Sequence, residues 1–148
     1  MTTLQTGHVG INVVDLDRSK HFYATVFQFD VTNESTDESR RFAFLAADGK
    51  LAVTLWQQAD TAFQPGHAGL HHLAFQVDTV AEVESAEARL RELGADITHD
   101  GIVAHAEGAQ SGGIFFRDPD GTRLEIYSPD AGRGHDAPTG SAPTCGFF

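Results

Sequence analysis

The sequence predicts an α+β protein made of two βαβββ modules, and two observations lead to this prediction. First, a strand-like alternation, a helical pattern and three further strand-like runs follow one another twice along the 148 residues. Second, the two copies begin at His8 and His72, about 64 residues apart. Solenoid repeats are shorter, about 20–50 residues, and occur more often. We therefore expect one pseudo-symmetric domain over residues 1–129, with modules at about 6–57 and 69–129.

The first module opens on HVGINVV, in which Val9, Ile11 and Val13 alternate with small or polar residues, as in a half-buried strand. A helix is predicted over DLDRSKHFYATVFQF, with Asp15 or Asp17 as its N-cap. Three strands are expected to follow, and the ADGK sequence between the last two is typical of a hairpin turn. These strands lie in FDVTNE, RRFAFLAA and KLAVTLWQ.

The second module repeats this order, starting with a strand in HHLAFQV. Its helix is predicted over DTVAEVESAEARLRELG, where Thr79 and Glu82 match a capping box and Gly94 ends the helix. Strands are again expected, in DITHDGIVAH, GGIFFRDPDG and TRLEIYSP. The segment QQADTAFQPGHAG is predicted to link the modules, and residues 130–148, rich in Gly, Pro and Ala, to form a flexible tail.

The composition narrows the classes of partner. The formal net charge is −11, with 21 acidic residues against 10 Lys and Arg, so binding to nucleic acid or to an anionic membrane surface is disfavoured. No apolar run approaches the ~20 residues of a membrane span. The single cysteine, Cys145, and the lack of a signal-like N-terminus fit a cytoplasmic protein. We expect a small-molecule substrate as the partner.

The adjacent histidines His71 and His72 can be separated by strand parity. Residues i and i+2 of a strand share a face, so His71 is predicted on the apolar face with Leu73 and Phe75, and His72 on the opposite face. His8 lies opposite the apolar face of the first strand in the same way. Parity therefore favours His72 for chemistry and His71 for a structural role.

The last predicted strand adds a carboxylate with the same parity. Glu125 alternates with Leu124 and Ile126, so it projects from the side opposite the apolar face of its strand. His72 has the same orientation relative to the apolar face of the strand that it opens. If the two modules curl their sheets around one hollow, His8, His72 and Glu125 converge there. Two imidazoles and a carboxylate are a common ligand set for a divalent metal with open positions. Alternatively, each of the three is an ordinary surface residue.

Two further residues are candidates for proton chemistry near this hollow. Tyr127 lies two residues beyond Glu125 on the same face and is predicted to act as a hydrogen-bond donor or general acid, although a structural role is equally compatible. His105 lies in the loop DGIVAHAEGAQSGG, whose small residues indicate a mobile flap. It could act as a base near the site or be exposed. The predicted catalytic residues are thus Tyr127 and Glu125.

Three segments resemble the signature regions of the vicinal oxygen chelate superfamily: GHVGINVVDLDRSKHFYATVF, HHLAFQVDTVAEVESAEARLRELGA and GGIFFRDPDGTRLEIYSP. This superfamily contains glyoxalase I, extradiol dioxygenases, fosfomycin-resistance enzymes and bleomycin-resistance proteins. The resemblance implies the glyoxalase/bleomycin resistance/dioxygenase-like fold, in which the sheets of paired βαβββ modules curl into a metal-binding cup. It maps the metal ligands of the superfamily onto His8, His72 and Glu125. It also suggests a homodimer.

This sequence departs from the glyoxalase I pattern at one ligand position. Glyoxalase I has a fourth ligand, a carboxylate on the last strand of the first module, and counting from the turn glycine places Val53 at that position. Valine cannot ligate a metal, although Gln57 or a residue of another chain could substitute.

The resemblance implies a metal-dependent enzyme that acts on a small oxygen-rich substrate by glyoxalase-like lyase or isomerase chemistry, or by dioxygenase-like chemistry. The divalent ion would be Fe, Mn, Ni, Co or Zn. The alternatives are an antibiotic- or metabolite-binding resistance protein of the same fold, or a transferase or hydrolase of the fosfomycin-resistance type.

Overall fold

The computed structural model describes residues 2–148, and the chain divides into two compact units between Ala62 and Phe63. The first unit contains β1 (Val9–Asn12), α1 (Leu16–Phe27), β2 (Asp30–Ser35), β3 (Phe42–Ala47) and β4 (Lys50–Trp56). The second contains β5 (Leu73–Gln76), α2 (Val80–Glu92), β6 (Asp96–Ala104), β7 (Gly112–Arg117), β8 (Arg123–Ser128) and a 3₁₀ helix at Thr144–Gly146. The predicted α+β class, with βαβββ in each unit, is confirmed.

Each unit has one open, four-stranded mixed sheet, and the two sheets have equivalent strand orders. The orders are β1-β4-β3-β2 and β5-β8-β7-β6. The first strand of each unit pairs in parallel with the last, while the remaining neighbours are antiparallel. A parallel pair needs a crossover connection, and the helix follows the first strand in each unit. The cup that the modules would form together stays a prediction.

The helices begin at the residues that the sequence indicated. The side chain of Asp15 accepts a hydrogen bond from the Arg18 amide at 3.1 Å, so Asp15, not Asp17, is the N-cap of α1. Thr79 and Glu82 form the predicted capping box of α2, in which each side chain bonds to the backbone of the other. Gly94 follows the end of α2 with φ of 65°, a left-handed conformation that glycine adopts without steric cost.

One face of each sheet packs against the helix of its own unit. In the second unit Val83 and Leu90 of α2 and Leu124 and Ile126 of β8 are all buried. In the first unit Val53 and Leu55 of β4 are buried with three residues of α1, which are Phe22, Tyr23 and Val26. The opposite face of each sheet is called here the helix-free face. Thr54 and Glu125 lie on it, between buried apolar neighbours in sequence.

The segment after residue 129, predicted as a flexible tail, lies against the second sheet. The Thr144 hydroxyl donates to the Ala104 carbonyl at 2.7 Å, and the Thr144 amide donates to the His105 carbonyl at 2.8 Å. Phe148 is buried, with its ring centroid 5.0 Å from that of Phe115. The tail therefore adds an apolar side chain to the helix-free face of the second sheet. Among residues 2–148, no helix is long and apolar enough to cross a membrane.

Candidate metal centre

The strand register identifies the first-unit counterpart of Glu125 as Thr54. In the parallel pairs, Ala74 lies opposite Glu125 and Gly10 lies opposite Thr54. The prediction from the turn glycine, Val53, is wrong by one residue because β4 carries a bulge: Leu45 pairs with Val53, whereas Ala46 pairs with Leu51. Val53 instead faces the helix and is fully buried.

The side-chain oxygens of Thr54 and Gln57 both accept hydrogen bonds within the first unit. The Thr54 hydroxyl accepts a hydrogen bond from the Trp56 indole nitrogen at 2.9 Å. The Oε1 atom of Gln57 accepts from the Leu16 amide at 2.8 Å and from Nε of Arg41 at 3.2 Å. Oε1 of Gln57 thereby accepts from the first amide of α1, which has no acceptor within the helix.

Glu125 is a buried carboxylate that pairs with a histidine and with no Lys or Arg among the described residues. Its residue exposure is 2%, because β5 and β7 flank it in the sheet. Across the described residues, its one hydrogen-bond and ion-pair partner is Nε2 of His105, and no Lys or Arg pairs with it. Burying a carboxylate is costly unless a cation or several hydrogen bonds compensate its charge. This position therefore has the electrostatic character of a cation ligand.

His105 lies closer to the site than its loop position indicated. It directly follows β6, and its Nδ1 lies 2.8 Å from the Ser111 hydroxyl across the flap. Its ring centroid is 5.2 Å from that of Tyr127 and 6.2 Å from that of Phe115. The β6–β7 hairpin, in which Ala104 pairs with Gly112, brings His105 and Ser111 together, and the sequence alone does not give this register.

His72 is half-buried and immediately precedes β5. Burial lowers the pKa of His72 below its ordinary value; Glu125 opposes this shift, while the positive charge of Arg123 and the neighbouring His71 add to it. The ring of Phe148 packs against the imidazole at 5.7 Å between centroids. A lowered pKa keeps the imidazole neutral near pH 7, which is the form that binds metals.

His71 does not join the buried face as parity predicted. Strand β5 begins only at Leu73, so His71 and His72 precede the strand and need not point to alternating faces. His71 is exposed. Its Nδ1 lies 2.8 Å from Nδ1 of His72, and its Nε2 lies 3.4 Å from a guanidinium nitrogen of Arg123. Because Arg123 can only donate, Nε2 of His71 accepts from it, and Nδ1 of His71 then donates to Nδ1 of His72.

Tyr127 lies on the helix-free face beside Glu125, as predicted. Its hydroxyl donates to Oε1 of Gln76 at 3.1 Å, directly across the β5–β8 pair. The edge-to-face contact with His105 holds its ring on the side of the Glu125 carboxylate. A phenol held in this way can supply a proton or a hydrogen bond to a molecule bound there.

His8, the third predicted ligand, precedes β1 in the first unit and is exposed. Over residues 2–148, no three or more His, Cys, Asp or Glu side chains are grouped so that they could hold a metal ion. Within the second unit the negative charge of Glu125 thus acts on His72, whereas His8 belongs to the first unit. The donor types of the second unit, a buried carboxylate and a neutral imidazole, fit a divalent ion.

Comparison with known proteins identifies the relationship. Residues 5–126 match the family model of the Glyoxalase/Bleomycin resistance protein/Dioxygenase superfamily. The chain is 31% identical over 125 residues to the catechol-2,3-dioxygenase of Bacillus subtilis (strain 168), covering 82% of this chain and 40% of that enzyme. It therefore spans about two fifths of the length of that relative.

Two solved structures have the same fold. A glyoxylase/bleomycin resistance protein/dioxygenase domain from Frankia sp. EAN1pec superposes with a TM-score of 0.76 at 26% identity, over 90% of this chain and 96% of that chain. The fosfomycin resistance protein FosX of Listeria monocytogenes, complexed with Mn(II) and sulfate, superposes with a TM-score of 0.64 at 20% identity, over 86% and 93%. The latter likeness concerns the fold alone.

Proposed function

Because the chain belongs to the Glyoxalase/Bleomycin resistance protein/Dioxygenase superfamily, we propose that it is a metal-dependent enzyme that acts on a small oxygen-rich substrate. The observation that carries this proposal is Glu125, a buried carboxylate that pairs with no Lys or Arg among the described residues and whose negative charge acts on the half-buried His72. The proposed ion is divalent Fe, Mn, Ni, Co or Zn, and the Mn(II) complex of a protein with this fold supports that class of ion.

In this proposal, His72 and Glu125 hold the ion, and His8 completes the ligand set. His8 is included because of the sequence pattern alone. It would come either from the same chain as His72 and Glu125 or from a second copy, and a homodimer is therefore part of the proposal. A cytoplasmic location is also proposed. When bound, the ion would supply Lewis-acid stabilisation of negative charge on a substrate oxygen. The Tyr127 hydroxyl would donate a hydrogen bond or proton to the same substrate, exchanging its bond to Gln76.

Two reaction classes fit this arrangement, a glyoxalase-like lyase or isomerase and a dioxygenase. The catechol-2,3-dioxygenase relative supports an aromatic diol as substrate. In the first unit, the half-buried rings of Phe42, Phe44 and Trp56 lie within 5.3–6.0 Å of one another and provide an aromatic surface. That surface equally favours the second candidate function, an antibiotic- or metabolite-binding protein.

Metal uptake tests the proposal directly. Protein purified without chelator is analysed for metals, then titrated calorimetrically with Mn²⁺, Fe²⁺, Co²⁺, Ni²⁺ and Zn²⁺. We expect tight uptake by the wild type and a loss of affinity of more than about 100-fold in Glu125→Gln and in His72→Ala, since each removes a ligand. Thr54→Ala is the matched control, because Thr54 occupies the equivalent register position in the first unit. A wild type that binds none of the five ions refutes the proposal.

The reaction class is separated by two assays on the metal-loaded protein. Oxygen consumption with catechols identifies a dioxygenase, and turnover of a hemithioacetal identifies a lyase of the glyoxalase kind. If neither reaction occurs, ligand binding that survives both a chelator and His8→Ala supports the binding protein instead.

A further inference from the structure

The helix-free face of the second sheet carries a chain of three polar side chains, Ser111, His105 and Glu125. Nδ1 of His105 lies 2.8 Å from Oγ of Ser111, and Nε2 of His105 contacts Oε1 of Glu125. These three side chains link the two ends of the loop between β6 and β7 to the middle of β8. They therefore connect Glu125, a proposed metal ligand, to that loop.

The hydrogen-bond roles in this chain follow from chemistry. An ionised carboxylate can only accept, so Nε2 of His105 carries the proton and donates to Glu125. Nδ1 of His105 bonds to the Ser111 hydroxyl, which can donate to this nitrogen or accept from it. The imidazole is therefore hydrogen-bonded at both ring nitrogens, which fixes its orientation.

His105 is also held in place from three other directions. Its amide donates to the Ser111 carbonyl at 3.0 Å, and its carbonyl accepts from the Thr144 amide at 2.8 Å. Its ring lies edge-on between the rings of Tyr127 and Phe115. These contacts leave its side chain 24% exposed. A donor held so firmly is suited to fixing the position of its acceptor.

We propose that His105 is a positioning residue that holds the Glu125 carboxylate for metal binding. His105 takes one oxygen of the carboxylate, Oε1, while Oε2 makes no hydrogen bond within residues 2–148. The carboxylate is thereby oriented by one oxygen, and the other stays available to a cation. This inference rests on the proposed metal-binding function, and it adds a residue outside the predicted ligand set. Partners that orient metal ligands typically contribute about 10–100-fold to metal affinity.

The test compares His105→Ala with His105→Gln by calorimetric titration with Mn²⁺. We expect His105→Ala to lower the Mn²⁺ affinity about 10–100-fold. His105→Gln should recover most of it, since an amide can still donate to Glu125 and accept from Ser111. His99→Asn is the matched control: His99 also packs on Phe115, at 5.9 Å, but has no contact with Glu125. Thermal unfolding of each variant checks that it is folded.

The outcomes separate this inference from the proposed function. A Mn²⁺ affinity of His105→Ala equal to that of the wild type overturns the inference. So does a Mn²⁺ affinity of His105→Gln as low as that of Glu125→Gln, because His105 would then be a metal ligand. If the wild type binds no metal, the proposed function fails. A slowly exchanging Nε2 proton of His105, seen by NMR in the metal-free wild type and absent from His105→Ala, still supports the hydrogen bond to Glu125. A missing wild-type signal contradicts it.

Discussion

The two units share one topology, but their helix-free faces carry different chemistry at equivalent positions. In the first unit the position is Thr54, whose hydroxyl accepts from the Trp56 indole. In the second unit it is Glu125, whose carboxylate accepts from His105. The register that relates Thr54 to Glu125 is the same in both parallel strand pairs. The two units therefore share the same strand register, while one equivalent position carries a neutral hydroxyl in the first unit and a carboxylate in the second.

The phenylalanines that pair with Thr54 and Glu125 differ in how deeply they are buried. Phe44 pairs with Thr54, and its ring is half-buried among Phe42 and Trp56. Phe115 pairs with Glu125 and is fully buried, with Phe148 packed on it. The first unit thus presents a half-buried aromatic surface, whereas in the second unit the aromatic ring beside the carboxylate is fully buried. Burial strengthens the electrostatic interactions of Glu125, because the local dielectric is low.

The largest expected effect comes from truncating the two equivalent phenylalanines. Phe115→Ala should lower the free energy of unfolding by about 3–5 kcal/mol, since it leaves a cavity in a fully buried position. Phe44→Ala should cost about half as much, because its ring is already half-exposed and the gap can fill with water. Urea denaturation followed by circular dichroism measures both. Equal losses would contradict the contrast between a half-buried and a fully buried ring.

The sequence predicted most where the strands are regular. In β8 the alternation of Leu124, Glu125 and Ile126 located the carboxylate on the helix-free face, and the register bears this out. In β4 the bulge inserts one residue between the turn and Thr54, so a count from the turn glycine ended at Val53. A one-residue slip transfers a side chain to the opposite face, and nothing in the local sequence marks a bulge reliably.

Contacts between separate elements were harder to predict. His105 was assigned to a loop, and its contact with Glu125 depends on the β6–β7 pairing as well as on the position of β8. His71 was assigned to the buried face because the strand was expected to begin two residues before Leu73. Strand ends are set by the hydrogen-bond partners available in the sheet, and a single strand's pattern does not contain that information.

A moderate effect is expected from the N-caps of the two helices. Thr79→Ala should cost about 1–2 kcal/mol in unfolding free energy, since it removes the hydroxyl that accepts from the Glu82 amide and donates to the Glu82 carboxylate, and leaves only the bond from the Thr79 amide. Asp15→Ala should cost about 0.5–1 kcal/mol, because Gln57 still accepts from the first amide of α1. Thermal and urea unfolding of the two variants give the comparison. A larger loss for Asp15→Ala would mean that Gln57 does not share the capping of α1.

The smallest expected effect concerns pH and belongs to the second unit. Burial lowers the pKa of His99 below its ordinary value, and the positive charge of Arg117 lowers it further. The unfolded chain therefore takes up a proton at a higher pH than the folded protein does. Stability is then complete above the ordinary pKa of histidine, about 6.5, and declines as the pH falls toward the lowered value. The folded form also buries Nε2 of His99 without a hydrogen-bond partner.

His99→Asn tests this expectation, because asparagine does not titrate and tolerates the left-handed backbone at this position, where φ is 62°. Unfolding free energies are measured in urea at pH 7.5 and at pH 5. The wild type should lose more stability than His99→Asn over this interval, and the difference should be smaller than the effect of either N-cap. Ile102→Val, a change in the same strand without a titratable group, is the matched control. An unchanged pH dependence in His99→Asn would place the acid sensitivity elsewhere, with His72, whose pKa burial also lowers, as the next residue to replace.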